Sequence, residues 1–78
     1  MHDEDIETIF IALLDEAVDV WRPVEAIRIE KSKYKITSVN SDPDDEHWQF
    51  VTGDIVLCEE KQFQGGSRGL IAVKKVQV

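Results

Sequence analysis

The sequence predicts an all-β domain, a small barrel or roll of five strands, and three observations carry that prediction. Val20–Glu30 and Tyr34–Thr37 read as two strands joined at Lys31-Ser32-Lys33, and the other segments look built to pair with them. Turn signals recur about every 8–12 residues, the spacing of small barrels and sandwiches. At 78 residues the chain is one domain. Folding at that size buries only about 60–65% of the unfolded chain's surface, so the core must be compact.

Taken in order, residues 1–5 read as a frayed acidic terminus. Ile6–Leu14 supports two readings. Ile6, Ile9, Phe10, Leu13 and Ala17 have helical spacing, which would give an α+β fold with a helix over residues 3–17. Thr8-Ile9-Phe10-Ile11 is β-branched and aromatic, which favours a strand covered on both faces. The segment then runs through Asp15-Glu16 straight into a second β-like stretch, so a strand is expected.

In Val20–Glu30, Val20, Val24 and Ala26 share one face while Ile27 and Ile29 fall on the other. Side chains alternate strictly, so a bulge or sharp coil is expected between Ala26 and Ile27. Pro23 has no N–H for a ladder and belongs at an edge or a bulge. After the turn, Tyr34 and Ile36 alternate with Lys35 and Thr37, a strand with one wet face. Asn40–Glu46 combines turn formers with like charges and reads as a loop. His47-Trp48-Gln49-Phe50 places two aromatics on one side of an extended piece, and Thr52-Gly53-Asp54 punctuates. Ile55–Glu60 reads as a central strand, Gln64-Gly65-Gly66-Ser67 as a hairpin connection with glycine at positive φ, and Leu70–Val73 as the last strand.

The net charge of −7 is unevenly spread. Residues 1–19 and 40–60 each hold seven acids and no base, whereas residues 20–39 hold five bases against Glu25 and Glu30, and residues 61–78 hold four bases and no acid. Acidic and basic strands lying side by side account for this most simply. A basic face for an anionic partner is the alternative, opposed by the overall negative charge. No apolar run approaches the roughly 20 residues that span a bilayer, and the N-terminus is acidic where a signal peptide is basic. Cytoplasmic residence without membrane attachment is expected.

Chemical motifs are sparse. Cys58, the one cysteine, lies in the apolar run Ile55-Val56-Leu57-Cys58 and reads as a buried, inert thiol. Asp42, Asp44 and Glu46 have the 1-3-5 spacing of a calcium loop, but His47 stands where its glycine is needed and Gly53 where its bidentate acid is needed. Gly65-Gly66-Ser67-Arg68-Gly69 lacks the Lys-Ser/Thr tail and the helix of a phosphate loop. Asp15/Glu16 and Glu59/Glu60 are adjacent and so face opposite ways in strands. His2 is terminal and His47 sits beside acids, so no Ser-His-Asp set assembles. No enzyme activity, cofactor or metal site is expected.

Leu14-Asp15-Glu16 and Val18-Asp19-Val20-Trp21-Arg22-Pro23-Val24-Glu25-Ala26 resemble a family of small uncharacterised bacterial proteins. The similarity resumes at Tyr34-Lys35-Ile36, from Asp42-Pro43 through Trp48-Gln49-Phe50, and at Gly53–Glu59; Ala17-Val18 departs from it where relatives carry Gly-Thr. The resemblance implies a small bacterial β-protein, favours a strand over Ile6–Leu14, and carries no activity. Gly53-Asp54-Ile55-Val56 is also similar to strand entries in Src-homology-3-like barrels, although fold does not fix function.

A non-enzymatic interaction module or accessory subunit with a protein partner is therefore expected. Its candidate binding residues are Trp21, Arg22, Trp48 and Phe50, aromatics for contact area and arginine for directed hydrogen bonds, although two tryptophans in so small a chain more often serve the core. The alternative is a nucleic-acid-binding face made of Arg28, Lys31, Lys33, Tyr34 and Lys35. Oligomeric state is left open by the sequence.

Overall fold

Runs of β-branched, aromatic and aliphatic residues form the strands of the domain, with alternate side chains turned into the core. A computed structural model describes residues 6–18 and 20–76; the acidic segment 1–5 lies outside the described residues. The strands are β1 (Ile6–Ala12), β2 (Trp21–Glu30), β3 (Lys33–Ile36), β4 (Ile55–Gln62) and β5 (Arg68–Lys75). Neighbours pair antiparallel in chain order, and β1 meets β5 in parallel at Phe10 and Ile71, closing a barrel. The fold is thus all-β, as expected, and Ile6–Ala12 is a strand; the helical alternative does not form there.

Inward-facing partners follow one another around the barrel. Ile9 opposes Val24, Ala26 opposes Ile36, Tyr34 opposes Val56, and Cys58 opposes Ala72. All eight are buried, and Ile9, Ile36 and Val56 are fully so, together with Ile11. Each fully buried aliphatic contributes about 1.5–3 kcal/mol relative to exposure.

The β2 bulge is displaced from its expected place. Alternation continues unbroken through Ala26 and Ile27 to Arg28, and the register shifts between Arg28 and Glu30. Ile27 is an outward residue, half-buried beside its cross-strand partners Ile6 and Lys35, so no change of face is needed. Pro23 is accommodated because β3 pairs only with Ala26–Glu30, leaving the first half of β2 with β1 alone. A second register shift, between Leu57 and Cys58, sets Val73 aside as the extra residue of β5.

Between β3 and β4 the chain crosses one mouth of the barrel. Gln49 N–H donates to the Ala12 carbonyl at 2.9 Å, Leu14 N–H donates to His47 O at 2.7 Å, and Leu13 bridges Trp48. The extended piece read from the sequence is therefore held against the end of β1, with Trp48 and Phe50 on its inner side as core residues. Gly53, at φ +92°, makes the turn that returns the chain to β4. The β4–β5 hairpin is closed by Phe63 N–H donating to Ser67 O at 2.7 Å, with Gly65 and Gly66 at positive φ.

Candidate interaction surface

Outward positions of β1, β2 and β5 carry apolar side chains where a lone wet face would carry polar ones. Across the strands, Ala12 lies beside Trp21, Phe10 beside Pro23, and Phe10 also beside Ile71. Phe63, just past β4, packs on this wall: its ring centroid is 5.1 Å from Phe10 and 6.2 Å from Trp21, the latter edge-on at 73°. These separations and tilts are those of favourable aromatic pairs. Gly69 of β5 provides the floor, since a Cβ there would stand 2.8 Å from Phe10 Cε1 and 3.1 Å from Phe63 Cε2. Phe10, Trp21 and Phe63 are each half-buried, so part of every ring still meets solvent. Ile9 and Ile11 are thus sealed in the core and Phe10 is partly covered by this cluster, while Thr8, the other outward residue of the run, is exposed.

The four candidate binding residues do not form one surface. Trp21 belongs to the outer cluster. Arg22, its sequence neighbour, faces the other way and opposes Ile11 at the barrel mouth. There its Nε lies 3.4 Å from Glu46 Oε1, the oxygen that also accepts the Trp48 Nε1–H bond at 3.0 Å. Arg22 and Trp48 therefore meet through Glu46. Trp48 and Phe50 are 8% and 7% exposed. Their burial makes them core residues, because the segment that carries them plugs the barrel end.

The second candidate set is divided by strand parity. Tyr34 points inward at 5% exposure and offers no face for a base to stack on. Arg28 opposes Tyr34 and belongs to the inner side at the far mouth. Lys31 lies in the β2–β3 turn, where Ser32 adopts φ 69°. Lys33 and Lys35 do share the outer face, with Lys33 Nζ 3.7 Å from Glu30 Oε1. Register adds a residue that the sequence reading did not pick, Lys74, which lies across Leu57 from Lys33. Phe10 and Phe63 likewise stand outside the candidate residues of the sequence. The apolar character of β1 on both faces was their signal; which residues cover its outer face is set by long-range pairing.

Two groups inside the barrel, Cys58 and Tyr34, are pushed towards their neutral forms. Burial pushes the Cys58 thiol up to about 12, with the Glu7 carboxylate adding to the shift. Burial also raises Tyr34, reinforced by Glu7 and offset in part by Arg28. His47 Nδ1 lies 2.8 Å from Asp15 Oδ2, both side chains exposed. Asp42 anchors the acidic loop through its backbone: Asn40 Oδ1 accepts its N–H at 2.9 Å, and its carbonyl accepts the N–H groups of Asp45 and Glu46. Among the described residues, no three His, Cys, Asp or Glu side chains converge as metal ligands do. No helix among them is long and apolar enough to cross a membrane.

No family model, curated protein or solved structure matches the chain.

Proposed function

We propose that the domain is a non-catalytic protein-interaction module, or the accessory subunit of a larger assembly, built as a Src-homology-3-like barrel and working in the bacterial cytoplasm. The observation that carries this reading is the outer cluster of Phe10, Trp21 and Phe63 beside Pro23. Three aromatic rings outside the core, held by a glycine floor, form a stiff apolar surface that loses little side-chain entropy on contact. Interfaces concentrate their binding energy in such anchors. The five-stranded closure supports the barrel class, and the resemblance around Asp19–Val24 supports a bacterial source. A protonated, buried Cys58 supports a role without thiol chemistry.

Nucleic acid is the weaker reading. It would rest on Lys33 and Lys35 for phosphate contact, with Tyr34 turned into the core and no exposed ring beside them to stack a base.

The test is affinity capture from native cytoplasm with and without nuclease, comparing wild type with Trp21→Ala of verified fold. A discrete protein held by wild type and lost by the variant is expected. Retention of that protein by the variant would oppose the aromatic surface. Recovery of nucleic acid in place of a protein would oppose the module itself.

A further inference from the structure

The outer wall formed by β2, β3, β4 and β5 is chemically unlike the aromatic cluster. Two rows of cross-strand neighbours lie on it: Ile6, Ile27, Lys35 and Ile55 in one, and Lys33, Leu57 and Lys74 in the other. Lys33 and Lys35 form a basic stripe along β3. Ile27 flanks it on β2, Ile55 and Leu57 flank it on β4, and Lys74 stands beyond Leu57. Ile27, Ile55 and Leu57 are half-buried, whereas Lys35 and Lys74 are exposed. Ile6 and Ile29, at the margin, are 59% and 42% exposed. Lys75 is turned off this wall and lies 3.3 Å from Asp54.

We propose that this wall is a second docking surface, distinct from the aromatic cluster, whose occupant is an extended acidic-aliphatic segment of a protein partner. Charge complementarity selects it. Lys33, Lys35 and Lys74 stand at the centre of the wall against the one acid Glu30, so that centre is locally basic on a chain whose net charge is −7. Spacing fits as well: alternate residues of an extended segment lie about 7 Å apart, as Lys33 and Lys35 do along β3, and adjacent strands are about 4.8 Å apart. Carboxylates on one segment face can therefore meet the β3 stripe while aliphatic side chains settle on Ile27, Ile55 and Leu57. Glu30 is the resident counter-charge, 3.7 Å from Lys33 Nζ, and yields to the incoming carboxylate. Glu25 and Glu59, on outward positions bordering the wall, select against a long polyanion.

A nucleic acid is disfavoured because the residues between the lysines are aliphatic, and the overall charge repels a long polyanion. An anionic lipid surface meets the same repulsion.

The probe is a soluble ten-residue peptide alternating Glu with Leu, titrated into the 15N-labelled full chain and followed by amide shifts. A scrambled-charge peptide with Lys for Glu, an all-Glu peptide, a short DNA duplex and phosphatidylserine vesicles are run alongside. Saturable shifts centred on Lys33, Lys35, Leu57 and Lys74 are expected, weakened at least tenfold by K33E/K35E and, separately, by K74E. Two independent variants, each checked by its unperturbed core amides, keep a folding defect from deciding the outcome. Shifts centred on Trp21, or none at millimolar peptide, would overturn the proposal. Equal or tighter binding of the all-Glu peptide, duplex or vesicles would also overturn it, since the aliphatic columns would then contribute nothing.

Discussion

The indole Nε1–H of Trp48 donates to Glu46 Oε1 at 3.0 Å, and that oxygen lies 3.4 Å from Arg22 Nε. One carboxylate thereby satisfies the single polar atom of a ring otherwise sunk in the core. It also ties the loop that crosses the barrel mouth to β2. A buried donor left without a partner costs about 1–3 kcal/mol, so the bond matters more for what its absence would cost than for its own strength.

Trp48→Ala should remove about 3–5 kcal/mol, since it leaves a cavity at the barrel end. That is a large share of the roughly 4–12 kcal/mol expected for 78 residues at about 0.05–0.15 kcal/mol per residue. Trp48→Phe keeps a ring in place and should lose about 1–2 kcal/mol, and Glu46→Gln, which retains an acceptor, less than about 1 kcal/mol. Urea denaturation followed by Trp21 fluorescence gives the three values. Equal losses for Ala and Phe would show that the ring does not fill the mouth.

Gly69→Ala tests the outer cluster without touching the core. Its new methyl would lie 2.8 Å from Phe10 Cε1, inside contact distance, so Phe10 and Phe63 must shift or the strand must move. A loss of about 1–2 kcal/mol is expected, together with altered near-ultraviolet dichroism from Trp21. An unchanged midpoint and spectrum would mean that the rings are not packed on this residue.

What could be read from the sequence was local, and what could not was long-range. The alternation of Tyr34 and Ile36 gives the correct inward face of β3, the apolar run around Cys58 gives a buried thiol, and the β-branched run of β1 outweighs its helical spacing because Ile9 and Ile11 are sealed in the core. Ile27 misled, since an outward isoleucine sheltered by cross-strand neighbours looks the same in sequence as one turned inward by a bulge. The two tryptophans could not be told apart either. Trp48 is buried because Gln49 N–H reaches the Ala12 carbonyl, and Trp21 is outside because Arg22 takes the inward position beside Ile11. Lys74 joins Lys33 only through the registers of β4 with both neighbours.

The His47–Asp15 contact should contribute little despite its 2.8 Å length. Both side chains are exposed, 52% and 75%, and water competes for them. Asp15→Asn is expected to change stability by less than about 0.5 kcal/mol. The backbone bonds from Leu14 to His47 and from Gln49 to Ala12 then carry the attachment of the crossing loop. Loss of loop protection in amide exchange on Asp15→Asn alone would reverse that assignment.

Alkaline pH should destabilise the fold through Cys58. Its thiol, held up at about 12 by burial against an ordinary 9.0, keeps its proton in the folded chain after the unfolded chain has lost it. Below pH 9 both states are protonated and the thiol's contribution is full. Between pH 9 and about 12 the unfolded state binds fewer protons, so unfolding free energy falls as pH rises. Tyr34, raised above 10.0 by burial, acts in the same direction at higher pH. Urea midpoints measured from pH 8 to 11 should decline more steeply for wild type than for Cys58→Ala, the difference isolating the thiol. In the same chain at pH 8, a thiol reagent should label Cys58 only as fast as the barrel opens. Rapid labelling under native conditions, or parallel slopes for the two proteins, would show that the thiol is not sealed in the core.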